Sequence, residues 1–297
     1  MQPNLIRNEY ALVPALWSNS QANISLLFSE VPFERRPAAA AAAGFEAIEC
    51  WWPFTGASPA TAEVDAFVAS VIDAGVALRG LNFFAGNMAA GDRGVLSHPA
   101  RRSEFDDSVA LAVDIGARLG VRGFNALYGN RLTGLAAVQQ DEAALDALAA
   151  ATEQADVIGA TVLIEPVSGV PAYPLKVADD ALSVVRGVRE RTRQGHVALL
   201  ADLYHLTVNG DDVTRVITEH VDSIGHVQLA DAPGRHEPGT GAVRIVELVD
   251  LLAKSGYTGG LGLEYIPTAD TVSGLNWLQR LEPSFGRPAD TARAEVI

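Results

Sequence analysis

The chain has 297 residues, 48% of them hydrophobic and 20% charged, a composition that excludes a disordered protein. Its formal net charge of −14 disfavours nucleic acid as a partner, because polyanion binding draws most of its affinity from Lys and Arg. No apolar stretch reaches the roughly 20 residues of a membrane span, so no membrane partner is expected. Cys50 is the only cysteine, which excludes an intrachain disulfide, and no signal-peptide pattern is visible, so a cytoplasmic location is expected.

In chain order, apolar runs alternate with amphipathic segments, and residues 1–23 form an irregular arm before this alternation begins. The apolar runs predict strands at residues 24–28, 46–51, 76–84, 123–127, 161–165, 197–202, 224–230 and 261–264. The amphipathic segments predict helices at residues 33–43, 60–74, 101–119, 141–158, 175–190, 211–219, 243–254 and 271–281. A glycine-containing loop at residues 85–97 is long enough to be a lid.

Eight strand and helix units predict an α/β fold, a single (β/α)8 TIM barrel of residues 24–282 followed by a tail at residues 283–297. Nearly continuous apolar strands are typical of a parallel sheet covered by helices, and eight units favour closure of that sheet. No GxGxxG pattern follows the first strand, which disfavours a Rossmann fold.

Four oxygen-bearing side chains each follow an apolar run: Glu165, Asp202, Gln228 and Glu264, at spacings of 37, 26 and 36 residues. These spacings suit one strand and one helix per step, and the strands of a parallel barrel end at one rim. We therefore expect the four side chains to meet. Three carboxylates and one amide form an oxygen-rich site that suits Mg²⁺ or Mn²⁺ better than zinc or copper.

Each of these residues also has an ordinary structural interpretation. A single acidic residue at a strand end is more often a helix cap or a surface group than a metal ligand, but four such residues are harder to explain in that way. His205 either contacts a substrate oxygen or forms a structural hydrogen bond. Trp51 either lines a pocket or belongs to the core. The segment GDRG at residues 91–94 either directs Arg93 inward or forms a solvated turn.

These motifs resemble the hydroxypyruvate isomerase family, within the xylose isomerase-like TIM barrels that also include ketose 3-epimerases and an endonuclease branch. The resemblance covers roughly residues 23–267 and rests on NISLLFSEVPF, AAAAAGFEAIE, AGNMAAGDRG, LIEP, ADLYHL, GHVQLADAPGRHEPGTG and LGLEYIP. It implies that Glu165, Asp202, Gln228 and Glu264 bind the metal and that Glu165 and Glu264 are the acid/base pair. Barrels of this kind usually pair, so a homo-oligomer is expected.

The resemblance implies isomerisation of a small hydroxy-oxo acid, such as hydroxypyruvate to tartronate semialdehyde through an enediolate, without an organic cofactor. Arg235 and His236 are then the cations expected to bind the substrate carboxylate, and His205 is a further substrate contact. A 2-oxo-tetronate isomerase and a ketose 3-epimerase are alternatives, although epimerases usually have histidine where this chain has Gln228. A metabolite-binding barrel is the non-enzymatic alternative, and the acidic charge disfavours an endonuclease.

Overall fold

The computed structural model describes residues 16–192 and 195–278, and the strands in this part of the chain close into a parallel barrel in sequence order. The last strand pairs with the first. The strands are Ser20–Asn23 (β1), Ala47–Cys50 (β2), Ala77–Asn82 (β3), Gly123–Asn125 (β4), Thr161–Ile164 (β5), His196–Asp202 (β6), Ile224–Leu229 (β7) and Leu261–Leu263 (β8). The predicted (β/α)8 barrel is confirmed.

Helices follow the strands and cover the outside of the barrel. They are Arg36–Ala42 (α1), Thr61–Ala74 (α2), Arg102–Leu119 (α3), Ala137–Asp156 (α4), Ala178–Arg191 (α5), Leu203–Val208 (α6), Val213–His220 (α7), Ile245–Ser255 (α8) and Thr271–Gly274 (α9). The short helix α6, directly after β6, was not predicted. Among the described residues, no helix is both long and apolar enough to cross a membrane.

The prediction of the first strand is wrong. The strand lies at Ser20–Asn23, within the segment expected to be an arm, and residues 24–28 form turns instead. Ile24, Leu27 and Phe28 are buried on these turns, and their spacing is the i, i+3, i+4 spacing of a helical turn. Residues 1–15 of the expected arm and the whole expected tail lie outside the described residues.

Helix α3 shows how the barrel is held rigid. Phe105, Val109, Ala112 and Ile115 are each at most 1% exposed and recur every three or four residues, so one face of the helix is buried. The Phe105 ring packs edge-on against Phe83, just after β3, at a centroid distance of 5.6 Å. Packing of this kind fixes the strand ends, which is where a barrel carries its functional side chains.

Backbone hydrogen bonds hold the loop between β3 and α3 in place, one of them to the segment that follows β4. The Gly94 backbone N–H donates to the Ala85 carbonyl oxygen at 2.8 Å, and the Gly129 N–H donates to the Arg93 carbonyl oxygen at 2.9 Å. Gly94 has a φ of +101°, and a Cβ added there would lie 1.8 Å from the Leu127 carbonyl oxygen. Only glycine allows this approach of the two backbones.

We expect Gly94→Ala to destabilise the protein more than Gly91→Ala. Gly91 has a similar φ of +105°, but a Cβ added there meets nothing within 4 Å, so its replacement costs only the backbone strain of about 1–2 kcal/mol. Gly94→Ala adds a clash with a backbone oxygen. Chemical denaturation measures both free energies of unfolding, and equal losses would contradict the described packing of the loop.

Candidate active site

The four side chains expected to bind metal lie at the carboxyl-terminal rim of the barrel. Asp202 ends β6, Gln228 lies one residue before the end of β7, and the register makes their Cα atoms partners. Glu165 directly follows β5. Glu264 directly follows β8, and its backbone N–H donates to the Leu229 carbonyl oxygen at 3.1 Å. Each of the four is at most 4% exposed. The strand ends therefore gather these residues at one buried rim.

The Arg235 guanidinium joins two of the carboxylates. Its Nη2 donates to Glu264 Oε1 at 2.5 Å and to Asp202 Oδ2 at 3.4 Å, and the guanidinium carbon lies 5.6 Å from the centre of the Tyr204 ring. The φ of Arg235 is 59°, a left-handed conformation that costs about 1–3 kcal/mol and clusters at functional sites. Asp231 secures the loop by accepting hydrogen bonds from three of its backbone N–H groups.

The two carboxylate oxygens of Asp202 have different partners, one at the start of a helix and the other in the site. Oδ1 accepts hydrogen bonds from the backbone N–H groups of Tyr204 at 2.8 Å and His205 at 3.2 Å, and so caps helix α6. Oδ2 faces Arg235 and lies 3.6 Å from His205 Nε2. The ordinary interpretation as a helix cap is therefore correct for one oxygen, and the other remains available to a ligand.

His205 presents an N–H group to the carboxylates. The Ser168 backbone N–H donates to His205 Nδ1 at 3.1 Å, so Nδ1 is an acceptor and the neutral ring carries its proton on Nε2. Burial lowers the pKa of His205 to about 4, which keeps the ring neutral. Glu165, Asp202 and His205 lie close enough together to hold an ion. Because Nε2 carries the proton, however, His205 fits a hydrogen-bond donor to substrate better than a metal ligand.

A buried hydrogen-bond network inside the barrel supports the rim. Glu49 of β2 is 3% exposed, accepts a hydrogen bond from Gln228 Nε2 at 2.7 Å and lies 2.6 Å from His226 Nε2. Asn23 Nδ2 donates to Glu49 at 3.2 Å and to Glu264 at 2.9 Å. Because Glu49 takes the amide nitrogen of Gln228, the amide oxygen is left buried without a hydrogen-bond partner among the described residues.

Burial and neighbouring carboxylates raise the pKa values of the two rim glutamates. Burial, followed by the charges of Glu264 and Asp202, raises the pKa of Glu165 well above its ordinary value. Burial raises the pKa of Glu264 to about 7, although Arg235 acts in the opposite direction. Burial also disfavours the charge of Arg235, but Glu264 and Asp202 outweigh that effect and raise its pKa. The positive charge of Arg235 therefore does not fully compensate the carboxylates at the rim.

The donor set fits a hard divalent cation. Asp202 Oδ2, the two glutamate carboxylates and the unpartnered Gln228 oxygen are all oxygens, which are the ligands that Mg²⁺ and Mn²⁺ prefer. A cation bound by the Gln228 oxygen would satisfy this buried group. It would also offset the repulsion that contributes to the raised pKa values of Glu165 and Glu264.

A cavity of about 210 Å³ opens onto the two glutamates. This volume is below the about 300–1,000 Å³ of pockets for drug-sized ligands, so the cavity suits a small metabolite. Trp51 lines it and donates its indole N–H to Glu264 at 3.2 Å, which settles the choice between pocket and core for this residue. Further lining residues include Arg93, Glu165, Ser168, His205, Arg235 and Glu264.

His236 is not among the described residues that line this cavity, and its Nδ1 lies 2.9 Å from the Ile266 carbonyl oxygen. Its contact with substrate stays a prediction. A larger cavity, of about 370 Å³, opens at the opposite end of the barrel beside Arg79 and Arg122. The described residues that line it include no carboxylate, so that cavity offers no carboxylate base.

Three polar residues that hold the site in place were not predicted from the sequence: Asn23, Glu49 and Asn125. Asn125 ends β4 and donates from Nδ2 to Glu165 Oε2 at 2.6 Å. Glu49 lies between the buried residues Ile48 and Cys50. A glutamate inside an apolar strand is uncommon unless it has a partner, and this was the signal that could have identified Glu49.

The fold and the site define a TIM-barrel enzyme with a buried acidic site at its carboxyl-terminal mouth. The profile of the xylose isomerase-like TIM barrel family matches residues 37–281. The chain belongs to this family.

Relatives of the chain narrow the class to isomerases. A Streptomyces coelicolor protein, provisionally named hydroxypyruvate isomerase, is 47% identical over 261 residues, which cover 86% of this chain and 94% of its own. A 2-oxo-tetronate isomerase of Cupriavidus necator is 33% identical and covers 90% of this chain and 98% of its own. The hydroxypyruvate isomerase of Escherichia coli is 31% identical, with coverages of 86% and 96%. The predicted enzyme class, an isomerase similar to hydroxypyruvate isomerases, is confirmed by these relatives.

A solved structure from Brucella melitensis, described as an AP endonuclease of family 2, is also similar to this chain. It superposes with a TM-score of 0.78 at 32% identity and covers 88% of this chain and 98% of its own. The likeness extends over almost all of the described barrel.

We expect the metal-free protein to lose stability as the pH rises from 4.5 to about 7. Folding raises the pKa of Glu264 from 4.5 to about 7, so the folded state binds more protons than the unfolded state in this window, and the free energy of unfolding falls as the pH rises. Thermal unfolding in EDTA measures this dependence. Glu264→Gln removes the titrating group, so a slope as steep in the variant as in the wild type would contradict this origin.

Proposed function

We propose that the protein is a divalent-metal-dependent isomerase of a small hydroxy-oxo acid, and that its reaction converts hydroxypyruvate to tartronate semialdehyde. The observation that carries this proposal is the pair of buried glutamates, Glu165 and Glu264, which line one small cavity. A carboxylate in such a position can remove a proton next to a substrate carbonyl and return it to the neighbouring carbon. The names of the relatives support the same chemistry.

The metal ligands in this proposal are Glu165, Asp202, Gln228 and Glu264. The buried amide oxygen of Gln228 supports this assignment, because it has no hydrogen-bond partner among the described residues. The amide nitrogen is the atom that donates to Glu49. Mg²⁺ or Mn²⁺ bound by these oxygens would supply stabilisation of negative charge on the substrate oxygens. No organic cofactor is part of the proposal.

Proton transfer falls to the two glutamates. One carboxylate removes a proton from C3 of hydroxypyruvate, the carbonyl at C2 becomes an enediolate oxygen, and a proton returns to C2. A proton lost from the C3 hydroxyl balances the one gained by the C2 oxygen, so the product is an isomer of the substrate. The neutral His205 donates its Nε2–H to a substrate oxygen, and Arg235 contacts substrate beside Glu264.

Two other isomerases of the same chemistry remain candidates. A 2-oxo-tetronate isomerase is supported by the relative from Cupriavidus necator, and its substrate also carries a carboxylate beside a ketone. A ketose 3-epimerase would exchange the proton at C3 and retain the ketone. An endonuclease is disfavoured by the net charge of −14 and by the carboxylates that line the cavity, both of which repel a phosphate backbone.

We expect Glu165→Gln and Glu264→Gln each to lower kcat for hydroxypyruvate about 10²- to 10⁴-fold, because each removes a group that transfers a proton. NMR in D₂O would follow the formation of tartronate semialdehyde and the incorporation of deuterium. EDTA should abolish turnover in the wild type, and Mg²⁺ or Mn²⁺ should restore it. Full turnover by the metal-free protein would contradict the metal dependence.

We expect Gln228→Met to weaken Mn²⁺ binding at least about tenfold, because it removes a ligand oxygen at nearly constant volume. Isothermal calorimetry measures the Kd. Gln140→Met is the matched control, because Gln140 is also buried and its amide bonds only to the loop at residues 132–135. The control should lose stability and keep its Mn²⁺ affinity. Unchanged Mn²⁺ affinity in Gln228→Met would exclude Gln228 as a ligand.

A further inference from the structure

Two guanidinium groups line the cavity, and they differ in how their charge is compensated. Arg235 bonds to the carboxylates of Glu264 and Asp202. Among the described residues, Arg93 donates only to backbone carbonyl oxygens, those of Met88 at 3.1 Å and Asp92 at 2.6 Å. Within residues 16–192 and 195–278, no carboxylate lies within the 4.0 Å of an ion pair with Arg93. Its positive charge is therefore available to a ligand in the cavity.

An anionic substrate needs such a charge in order to enter. Glu165 and Glu264 line the cavity, Asp202 shares Arg235 with Glu264, and the whole chain carries a net charge of −14. These carboxylates repel a carboxylate ligand. Arg235 is already engaged with two of them, so it offers little net attraction.

We infer that Arg93 binds the carboxylate of the substrate and so makes the site selective for hydroxy-oxo acids over neutral ketoses. The inference rests on the proposed isomerase function. From the sequence, Arg235 and His236 were expected to bind the carboxylate. The inference assigns this role to Arg93, in the loop between β3 and α3. Arg235 keeps its place beside Glu264, where the reacting carbons lie.

The loop holds Arg93 in position before any ligand binds. The carbonyl oxygen of Arg93 accepts a hydrogen bond from the Gly129 N–H at 2.9 Å, and Gly94 fits only as glycine. The neighbouring Asp92 is occupied elsewhere, because its Oδ2 accepts hydrogen bonds from the Asn87 N–H at 2.8 Å and from Arg101 Nη1 at 2.9 Å. Arg101 thus keeps the nearest carboxylate away from the Arg93 guanidinium. A cation that is ordered in advance binds at a lower entropic cost.

The placement of Arg93 also matches a short acid. Arg93 and His205 line the same cavity as the two glutamates. In this proposed mode of binding, the carboxylate lies at Arg93, the adjacent carbonyl accepts the His205 Nε2–H, and the hydroxymethyl carbon faces the two glutamates. This order, carboxylate, carbonyl and hydroxymethyl carbon, is the order of groups in hydroxypyruvate.

The first test compares hydroxypyruvate with 1,3-dihydroxyacetone, which differs only in having CH₂OH in place of the carboxylate. Arg93→Gln should lower the ratio of the two kcat/KM values about 10- to 100-fold, mainly through KM for the acid, because a hydrogen bond between charged groups is lost. Arg93→Lys should recover part of the ratio. Arg102→Gln, in the exposed first turn of α3, should leave the ratio unchanged. An unchanged ratio in Arg93→Gln would overturn the inference.

A second test does not depend on turnover. Calorimetry with glycerate and glycerol, in the presence of Mn²⁺, measures the preference for a carboxylate over CH₂OH. The wild type should prefer glycerate and Arg93→Gln should lose that preference. If the wild type isomerises neither substrate but shows this Arg93-dependent preference, the isomerase proposal fails and the Arg93 site stands. If Arg93→Gln binds glycerate as the wild type does, the Arg93 site is wrong even where the isomerase is active.

Discussion

The repulsion among buried carboxylates at the mouth of the barrel is the constraint on which the site depends. Glu165, Asp202 and Glu264 share one rim, and Glu49 lies in the barrel interior, joined to Glu264 through Asn23. In a buried environment such charges interact far more strongly than in water. Arg235 compensates two of them, and the pKa values of both rim glutamates remain raised. The same shortage of positive charge at the rim is the physical reason for the proposal that a divalent cation binds there.

The barrel can hold charged side chains at its rim because its apolar core lies elsewhere, between the strands and the helices. Apolar side chains between the strands and the helices hold the strand ends in register, so Asp202 and Gln228 become neighbours on paired strands. Glu49 then holds the Gln228 amide nitrogen from inside the barrel, and the cap of α6 occupies one oxygen of Asp202 while Arg235 donates to the other. Each of the four proposed ligands thus has a structural hydrogen bond, the kind of support that orients metal ligands in proteins generally.

Hydrophobic periodicity in the sequence predicted most of the strands. The first strand and the polar residues inside the barrel lack this periodicity and were not predicted. Seven of the strands were found close to their places, because each is apolar and ends at a polar residue or a loop. The first strand, SQAN, is polar although it is fully buried, because Gln21 lines the cavity at the opposite end of the barrel and Asn23 bonds to Glu49 and Glu264 inside it. The apolar run after it was taken for the strand. Glu49 and Asn125 were missed because a single sequence does not show which strand residues face one another across the barrel. The role of the loop at Arg93 depends on the docking of Gly94 against the segment after β4, a long-range contact that local patterns do not contain.

The central claim is that the four strand-end residues bind one cation. Anomalous diffraction at the manganese edge, from crystals grown with Mn²⁺, tests it directly. The account predicts one manganese ion at the carboxyl-terminal mouth, bonded to oxygens of Glu165, Asp202, Gln228 and Glu264. A manganese ion elsewhere, or one at the mouth that is bonded through His205 while Gln228 remains attached only to Glu49, would contradict it.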